Sequence, residues 1–232
     1  LFTDFLSWQS FYYVIALGLV LFALAIPKSG KGASIHAAKS PLLYLKQLKD
    51  PLVLKLYGAV FCMFFCFAAL LNYLPFILQD SFAITNTRDI GLVYSGYLLG
   101  ALASIATPWL LRKSSTPWRL LTWVFVFYSL TMVLLMSQQL LLFVIAFTGF
   151  CGAMFVIHSS AAPLVNKISS APASVTNGGY VSFYYSGGAL GSLLPGLVYQ
   201  QHGQVAFMTV LLLVCLVGLS LVYLAGRNTI RG

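Results

Sequence analysis

Long apolar runs alternate with short polar gaps along the whole chain, and the length of the runs gives the pattern its meaning. A helix needs about twenty apolar residues to cross the roughly 30 Å hydrocarbon core of a bilayer. Seven stretches meet that demand: Trp8–Ile26, Lys55–Leu78, Ile90–Leu111, Trp118–Met136, Leu140–Val165, Ala173–Tyr199 and Val205–Ala225. Each is predicted to be a helix. Hydrocarbon cannot satisfy exposed backbone N–H and C=O groups, and no two-residue alternation of the barrel kind appears.

The polar gaps between these segments alternate in charge. Lys28, Lys31, Lys39, Lys46 and Lys49 fill the first, Arg112, Lys113 and Arg119 the third, Lys167 the fifth, and Arg227 and Arg231 the C-terminal tail. The intervening gaps hold Asp80, Arg88 and Asp89, then Ser137-Gln138-Gln139, then Gln200–Gln204. Positive charge stays on the cytoplasmic side of a membrane protein, so the expected topology has the N-terminus of this chain outside and its C-terminus cytoplasmic.

Composition narrows the class further. The 232 residues are 60% hydrophobic and only 7% charged, where a soluble domain of this length carries roughly a quarter charged residues. Thirteen Lys and Arg face four acidic residues, all Asp, for a net charge of +9. That balance suits nucleic acid only when the basic residues form a groove or stripe. They sit instead between apolar runs, so the partner is the lipid bilayer and no nucleic acid is expected. Cys62, Cys66, Cys151 and Cys215 all lie inside apolar runs without an accompanying carboxylate, which reads as packing before metal or redox chemistry. The chain opens on Leu1 with no charged region ahead of its first apolar run, which is expected of a fragment or a processed product and not of a chain opening with a signal peptide.

The first gap is also the longest. Pro27-Lys28-Ser29-Gly30-Lys31-Gly32 opens it as a linker would, and Leu42–Leu48 fits a short amphipathic helix on the membrane surface. The expected division is therefore a first helix in 1–27, a cytoplasmic linker in 28–50 and a six-helix unit in 51–232.

Those six helices carry a trace of repetition. Tyr94-Ser95-Gly96, Leu99-Gly100 and Leu102 recur as Tyr185-Ser186-Gly187, Leu190-Gly191 and Leu193, always 91 residues on. The plain alternative is chance recurrence of small residues in membrane helices. If the repeat is real, its two three-helix units run in opposite directions through the membrane, as in many secondary transporters. Gly96 with Gly100, and Gly187 with Gly191, also have the spacing that lets helix backbones approach closely, either as static packing or as a gating face.

With these residues in view the chain resembles the major facilitator superfamily, specifically its twelve-helix drug:proton antiporter branch with the arabinose-efflux-type permeases. The likeness is strongest over Gly149–Asn166 and Ala173–Gly203, notably Phe183-Tyr184-Tyr185-Ser186-Gly187-Gly188, and extends from Trp8 to Ala225. The resemblance implies an all-α membrane protein: helix 6 plus the C-terminal six-helix bundle, two inverted three-helix repeats, of a transporter in the cytoplasmic (inner) membrane. It implies a secondary active transporter, an efflux permease or antiporter, moving a small molecule by alternating access. The remaining N-terminal half lies outside this chain, the proton gradient supplies the energy, and no cofactor is needed. The family's cytoplasmic motif carries an acidic residue and glycines among its arginines, whereas the stretch from Arg112 to Arg119 keeps only the basic part.

The resemblance puts segments two, three, five and six around the substrate cavity, with segments four and seven toward lipid. Polarity agrees, since the first group carries the Asn, Tyr, Ser, His and Gly. His158 is the one ionisable side chain deep within a span other than Tyr and Cys, a functional candidate by default. Helical spacing aligns it with Thr148, Cys151 and Phe155. Asn177, Tyr180 and Tyr184 share a face of segment six, and Asn72-Tyr73 sits near the outer end of segment two. The cavity is thus expected to use His158, Asn72, Tyr73, Tyr180, Tyr184, Asn177 and Phe155, with Tyr94 and Tyr97 as weaker candidates. Gly96, Gly100, Gly187, Gly191, Arg112 and Arg119 are expected to serve packing and gating. For each aromatic residue plain packing is an equal alternative, and for His158 so is a neutral ring bonded to a neighbour.

Other classes fit less well. His158-Ser159-Ser160 supplies residue types for a nucleophile and a base, but helix neighbours point apart and no carboxylate is near to orient the ring. An enzyme is therefore not expected. A seven-helix receptor, or a structural membrane protein without transport activity, is the alternative; a retinal protein would need a lysine in the last span, and Val205–Ala225 has none.

Overall fold

The computed structural model describes residues 8–25 and 50–231. These fall into two units. The first is a single helix, α1 (Trp8–Ala25), without a charged residue. Its apolar stretch from Tyr12 to Ala25 is shorter than a full span. The linker expected over 28–49, with its surface helix at Leu42–Leu48, lies outside the described residues.

The second unit begins at α2 (Pro51–Phe82). Asp50 caps it, its carboxylate accepting from the Leu52 N–H at 2.9 Å and the Val53 N–H at 3.4 Å, and Pro51 takes the first helical position, where no N–H is needed. The helix stops at Ala83, which turns left-handed (φ 55°). Next come α3 (Thr87–Leu102), a 3₁₀ turn (Ala103–Ala106) and α4 (Thr107–Lys113). Pro108 lacks the N–H that would continue the ladder and its ring crowds the preceding turn, so the segment expected as one helix is broken in the middle. Then follow α5 (Pro117–Leu134), capped by Thr116, and α6 (Leu140–Ile168). The last, α7 (Ala173–Arg231), has two arms, 173–202 and 204–231, joined at Gly203.

Gly203 corrects the sequence reading. The gap expected from Gln200 to Gln204 shrinks to one non-helical residue, with φ 73° and ψ −168°. That region of backbone space is open essentially to glycine alone, so one residue suffices where a loop was expected. Among the described residues five helical stretches are long and apolar enough to cross a membrane, counting α3 to α4 as one. The fifth, α7, has length for two crossings.

Packing is built around α2 and α6. The first arm of α7 lies against α2, and α3 lies against α6. The second arm of α7 also packs on α2, through Leu211, Gly218 and Leu221, while α5 packs on both α6 and that second arm. Glycines set the distances. A methyl group added at Gly100 would stand 2.5 Å from the Cys151 Cβ and 2.7 Å from the Gly152 nitrogen. At Gly187 and Gly191 it would run into the Phe61 and Phe65 carbonyl oxygens of α2. The helices therefore meet backbone to backbone, which maximises dispersion contacts where no hydrophobic force acts between them.

Buried hydroxyls join neighbouring helices. Tyr57 donates to the Thr176 carbonyl at 2.7 Å and Tyr128 to the Met63 carbonyl at 3.0 Å. A third bond repairs a defect. Pro75, inside α2, has no N–H to offer the Leu71 carbonyl four residues back, and the Tyr94 hydroxyl of α3 donates to that oxygen at 2.7 Å. A proline within a membrane helix is tolerated when a neighbour satisfies the freed carbonyl in this way.

The two ends of the bundle differ in character. At one, Arg112, Lys113, Arg119 and Arg227 gather around α4, α5 and the end of α7. At the other, Tyr199 donates to Asp80 at 2.7 Å, Ser81 donates to the Gln204 side-chain oxygen at 2.6 Å, and Gln204 donates to the Leu135 carbonyl at 2.7 Å.

Three substitutions test this packing. Gly191→Ala must push α7 off α2, with an expected cost of about 1–3 kcal/mol. Gly178→Ala, whose added methyl meets nothing within 4 Å, is the matched control and should hold or slightly raise the thermal stability in detergent, since Ala favours the helix over Gly. Tyr94→Phe should cost about 1–3 kcal/mol in the same assay, because it leaves the Leu71 carbonyl without its donor.

Candidate functional site

The site grows from one face of α2. Phe64, Phe67, Ala68, Leu71 and Asn72 follow each other at helical spacing, and α6 faces them with Met154, Phe155 and His158. Tyr97 of α3 and Tyr184 of α7 complete the wall of a cavity of about 460 Å³. Its lining is mainly aromatic, with a few polar groups converging on it, the usual composition of a small-molecule pocket.

His158 is held from α7. Its Nδ1 stands 2.9 Å from the Tyr180 hydroxyl; either partner is the donor, depending on the tautomer. Its ring centre lies 5.0 Å from that of Tyr184, which stacks on Phe64 at 3.7 Å and 16°. Tyr97 meets Phe155 edge-on at 5.2 Å. Asn72 donates to the Ala68 carbonyl at 2.8 Å and to the Ser192 hydroxyl at 2.9 Å, so its amide bridges α2 and α7 while remaining exposed to the cavity. Aromatic faces of this kind attract apolar and cationic groups.

The structure thus brings Asn72, Phe155, His158 and Tyr184 to one cavity, with Tyr180 behind His158. Tyr73 and Asn177 lie elsewhere. Tyr73 points to the other side of α2, where its ring packs with Tyr199 and Phe207 at 5.5 and 5.4 Å and covers Gly196. Asn177 accepts from Asn166 at 2.8 Å, near the turn between α6 and α7. The stripe from Thr148 to His158 also divides: Gly96 and Gly100 press on Thr148 and Cys151, leaving Phe155 and His158 to reach the cavity. Arg119 sits at the basic end, donating to the Ser115 hydroxyl at 3.3 Å, with Arg112 beside it. Phe64, Phe67 and Met154 line the cavity without having been singled out. Their signal was the shared stripe with Asn72, and with His158 one turn on from Met154.

Two curated bacterial proteins match this chain. An uncharacterized transporter of Buchnera aphidicola subsp. Baizongia pistaciae (strain Bp) is 23% identical over 205 residues, covering 86% of this chain and 51% of that protein. Multidrug efflux protein YfmO of Bacillus subtilis (strain 168) is 26% identical over 239 residues, covering 98% of this chain and 57% of YfmO. The chain is similar to bacterial transporters. It spans about half the length of the curated relatives it matches. No protein-family profile matches it. The apolar helices and the transporter relatives together mark a multi-pass membrane protein.

The Tyr180 hydroxyl is the contact that fixes the His158 ring. Tyr180→Phe is expected to cost about 1 kcal/mol of stability and to shift the ¹⁵N resonances of the His158 imidazole. Unmoved resonances would show that the ring is held by something else.

Proposed function

We propose that this chain is the C-terminal portion of a secondary active transporter of the major facilitator type, an efflux permease that expels a small molecule by alternating access. The observation that carries the reading is the match of 98% of the chain to a protein named for multidrug efflux. The aromatic cavity around His158, with its few polar groups, supports the reading of a small-molecule site.

The packing supports the architecture. The sequence repeat pairs α2 with α6, α3 with the first arm of α7, and α5 with the second arm. Under that exchange, α3 on α6 becomes the first arm on α2, and α5 on α6 becomes the second arm on α2. Both pairs of contacts occur. Two inverted triplets related by a two-fold axis produce such an exchange. The collected arginines and lysines at one end support a cytoplasmic C-terminus in an inner membrane. The N-terminal half, in the length by which the relatives exceed this chain, supplies the opposite wall of the cavity and the carboxylates for coupling to the proton gradient. In this half His158 and Tyr180 orient the substrate, Asn72 hydrogen-bonds it, and Tyr184, Phe64 and Phe155 cover its apolar faces.

Reconstitution of the full-length protein in proteoliposomes tests the reading. Flux of a fluorescent lipophilic dye should require a proton gradient and saturate with dye concentration; flux linear in concentration would indicate a channel instead. His158→Ala should lower that flux about tenfold or more, the loss of one to two hydrogen bonds' worth of interaction. Unchanged flux with unchanged pH dependence would remove His158 from the mechanism.

A further inference from the structure

A second concavity lies on the side of the bundle away from the His158 cavity. It is a groove of about 510 Å³ between α3, α5 and α6, walled by Leu99, Ala103, Leu110, Trp123, Val124 and Phe127. Gly149 and Gly152 of α6 also line it, packed closely on Phe127 and on Ala103, the first residue of the 3₁₀ turn. Leu99, Trp123 and Phe127 remain exposed at its rim.

At its basic end the groove adjoins another hollow of about 490 Å³. This one is lined by Arg112, Lys113, Ser114, Ser115 and Arg119, and it shares Leu120 and Trp123 with the groove. Apolar slot and cationic hollow therefore adjoin, with Leu120 and Trp123 in the walls of both, and together form the two parts of one candidate cleft. None of the residues lining either part is acidic. The described Asp80 and Asp89 belong to the opposite end, and Asp50 is engaged with the first turn of α2. Lys113 is steadied by its ammonium group, which stands 4.3 Å over the Trp109 ring.

We propose that this cleft binds one anionic phospholipid, with its phosphate between Arg112, Lys113 and Arg119 and an acyl chain along the groove. The dimensions suit the ligand: from Arg119 to Phe127 the wall of α5 rises ~12 Å, about four fifths of the apolar thickness of one leaflet. The polarity changes where a lipid's does. Trp123 lies at the junction of the two parts, as tryptophans do at the boundary between headgroups and acyl chains. Basic pockets between membrane helices on the cytoplasmic side capture anionic headgroups, each Arg or Lys adding to the attraction. Thr148 is the one polar side chain lining the slot, so water would find few partners there, and a free anion would leave it unfilled. The site does not depend on transport, since the cleft lies across the bundle from the cavity.

Native mass spectrometry of the full-length protein in mild detergent tests the proposal, with phosphatidylglycerol, phosphatidylcholine and inorganic phosphate as probes. The wild type should retain one phosphatidylglycerol about tenfold more tightly than phosphatidylcholine, and millimolar inorganic phosphate should not displace it. The double variant Arg112→Gln, Arg119→Gln should lose about tenfold in phosphatidylglycerol affinity and with it the preference, whereas Arg88→Gln, at the other end, should change nothing. Val124→Trp, or Leu99→Trp from the opposite wall if the first fails to fold, should lower lipid occupancy by filling the slot. Equal retention of the two lipids by the wild type would overturn the proposal, as would full retention by the arginine double variant. Displacement of the lipid by inorganic phosphate would reduce the site to one for simple anions and equally overturn it.

Discussion

Inside a bilayer no hydrophobic force presses one helix against another, because lipid tails are as apolar as the side chains they would replace. Association must come from how closely two backbones can approach and from polar bonds between them. In this bundle the closest approach is that of the first arm of α7 onto α2, where Gly187 and Gly191 lie against the Phe61 and Phe65 carbonyls. The His158 cavity depends on that seating. Tyr184 stacks on Phe64, Asn72 reaches Ser192 and Tyr180 reaches His158 only because α7 lies so near.

The helices themselves were legible in the sequence, since length and apolarity are local properties and each run carries its own. The glycine pairs were legible as well, because their four-residue spacing appears in the chain before any partner is known. Which neighbour each pair meets was not, and neither was the break before Thr107-Pro108. Pro108 lay in plain view, but it can kink a helix, end it or pass unnoticed according to what surrounds it. At Gly203 the chemistry of one residue replaced a five-residue loop, an outcome that needs a backbone angle and not a composition.

The cavity was partly legible for a similar reason. His158 and Asn72 stand out because polar groups in hydrocarbon are costly and must have a purpose or a partner. Tyr73 and Asn177 stand out equally, yet each has a partner away from the cavity: an aromatic cluster for one, Asn166 for the other. A polar or aromatic residue in a span announces a need without saying where it is met. Phe64, Phe67 and Met154 show the converse. Apolar residues in an apolar helix announce nothing, and only position gives them a place at the cavity wall.

The bond from Tyr94 to the Leu71 carbonyl has a mechanical side. A proline leaves its helix free to flex at that point, and here the loose oxygen is held by the hydroxyl of a different helix, beside the cavity wall formed by Leu71 and Tyr97. Such a tether resists pulling the two helices apart yet permits rotation about the bond, as a hinge pin does. A bend of α2 at Pro75 would therefore pull on α3 through this bond. A change of width at the cavity wall they share would turn about that one bond.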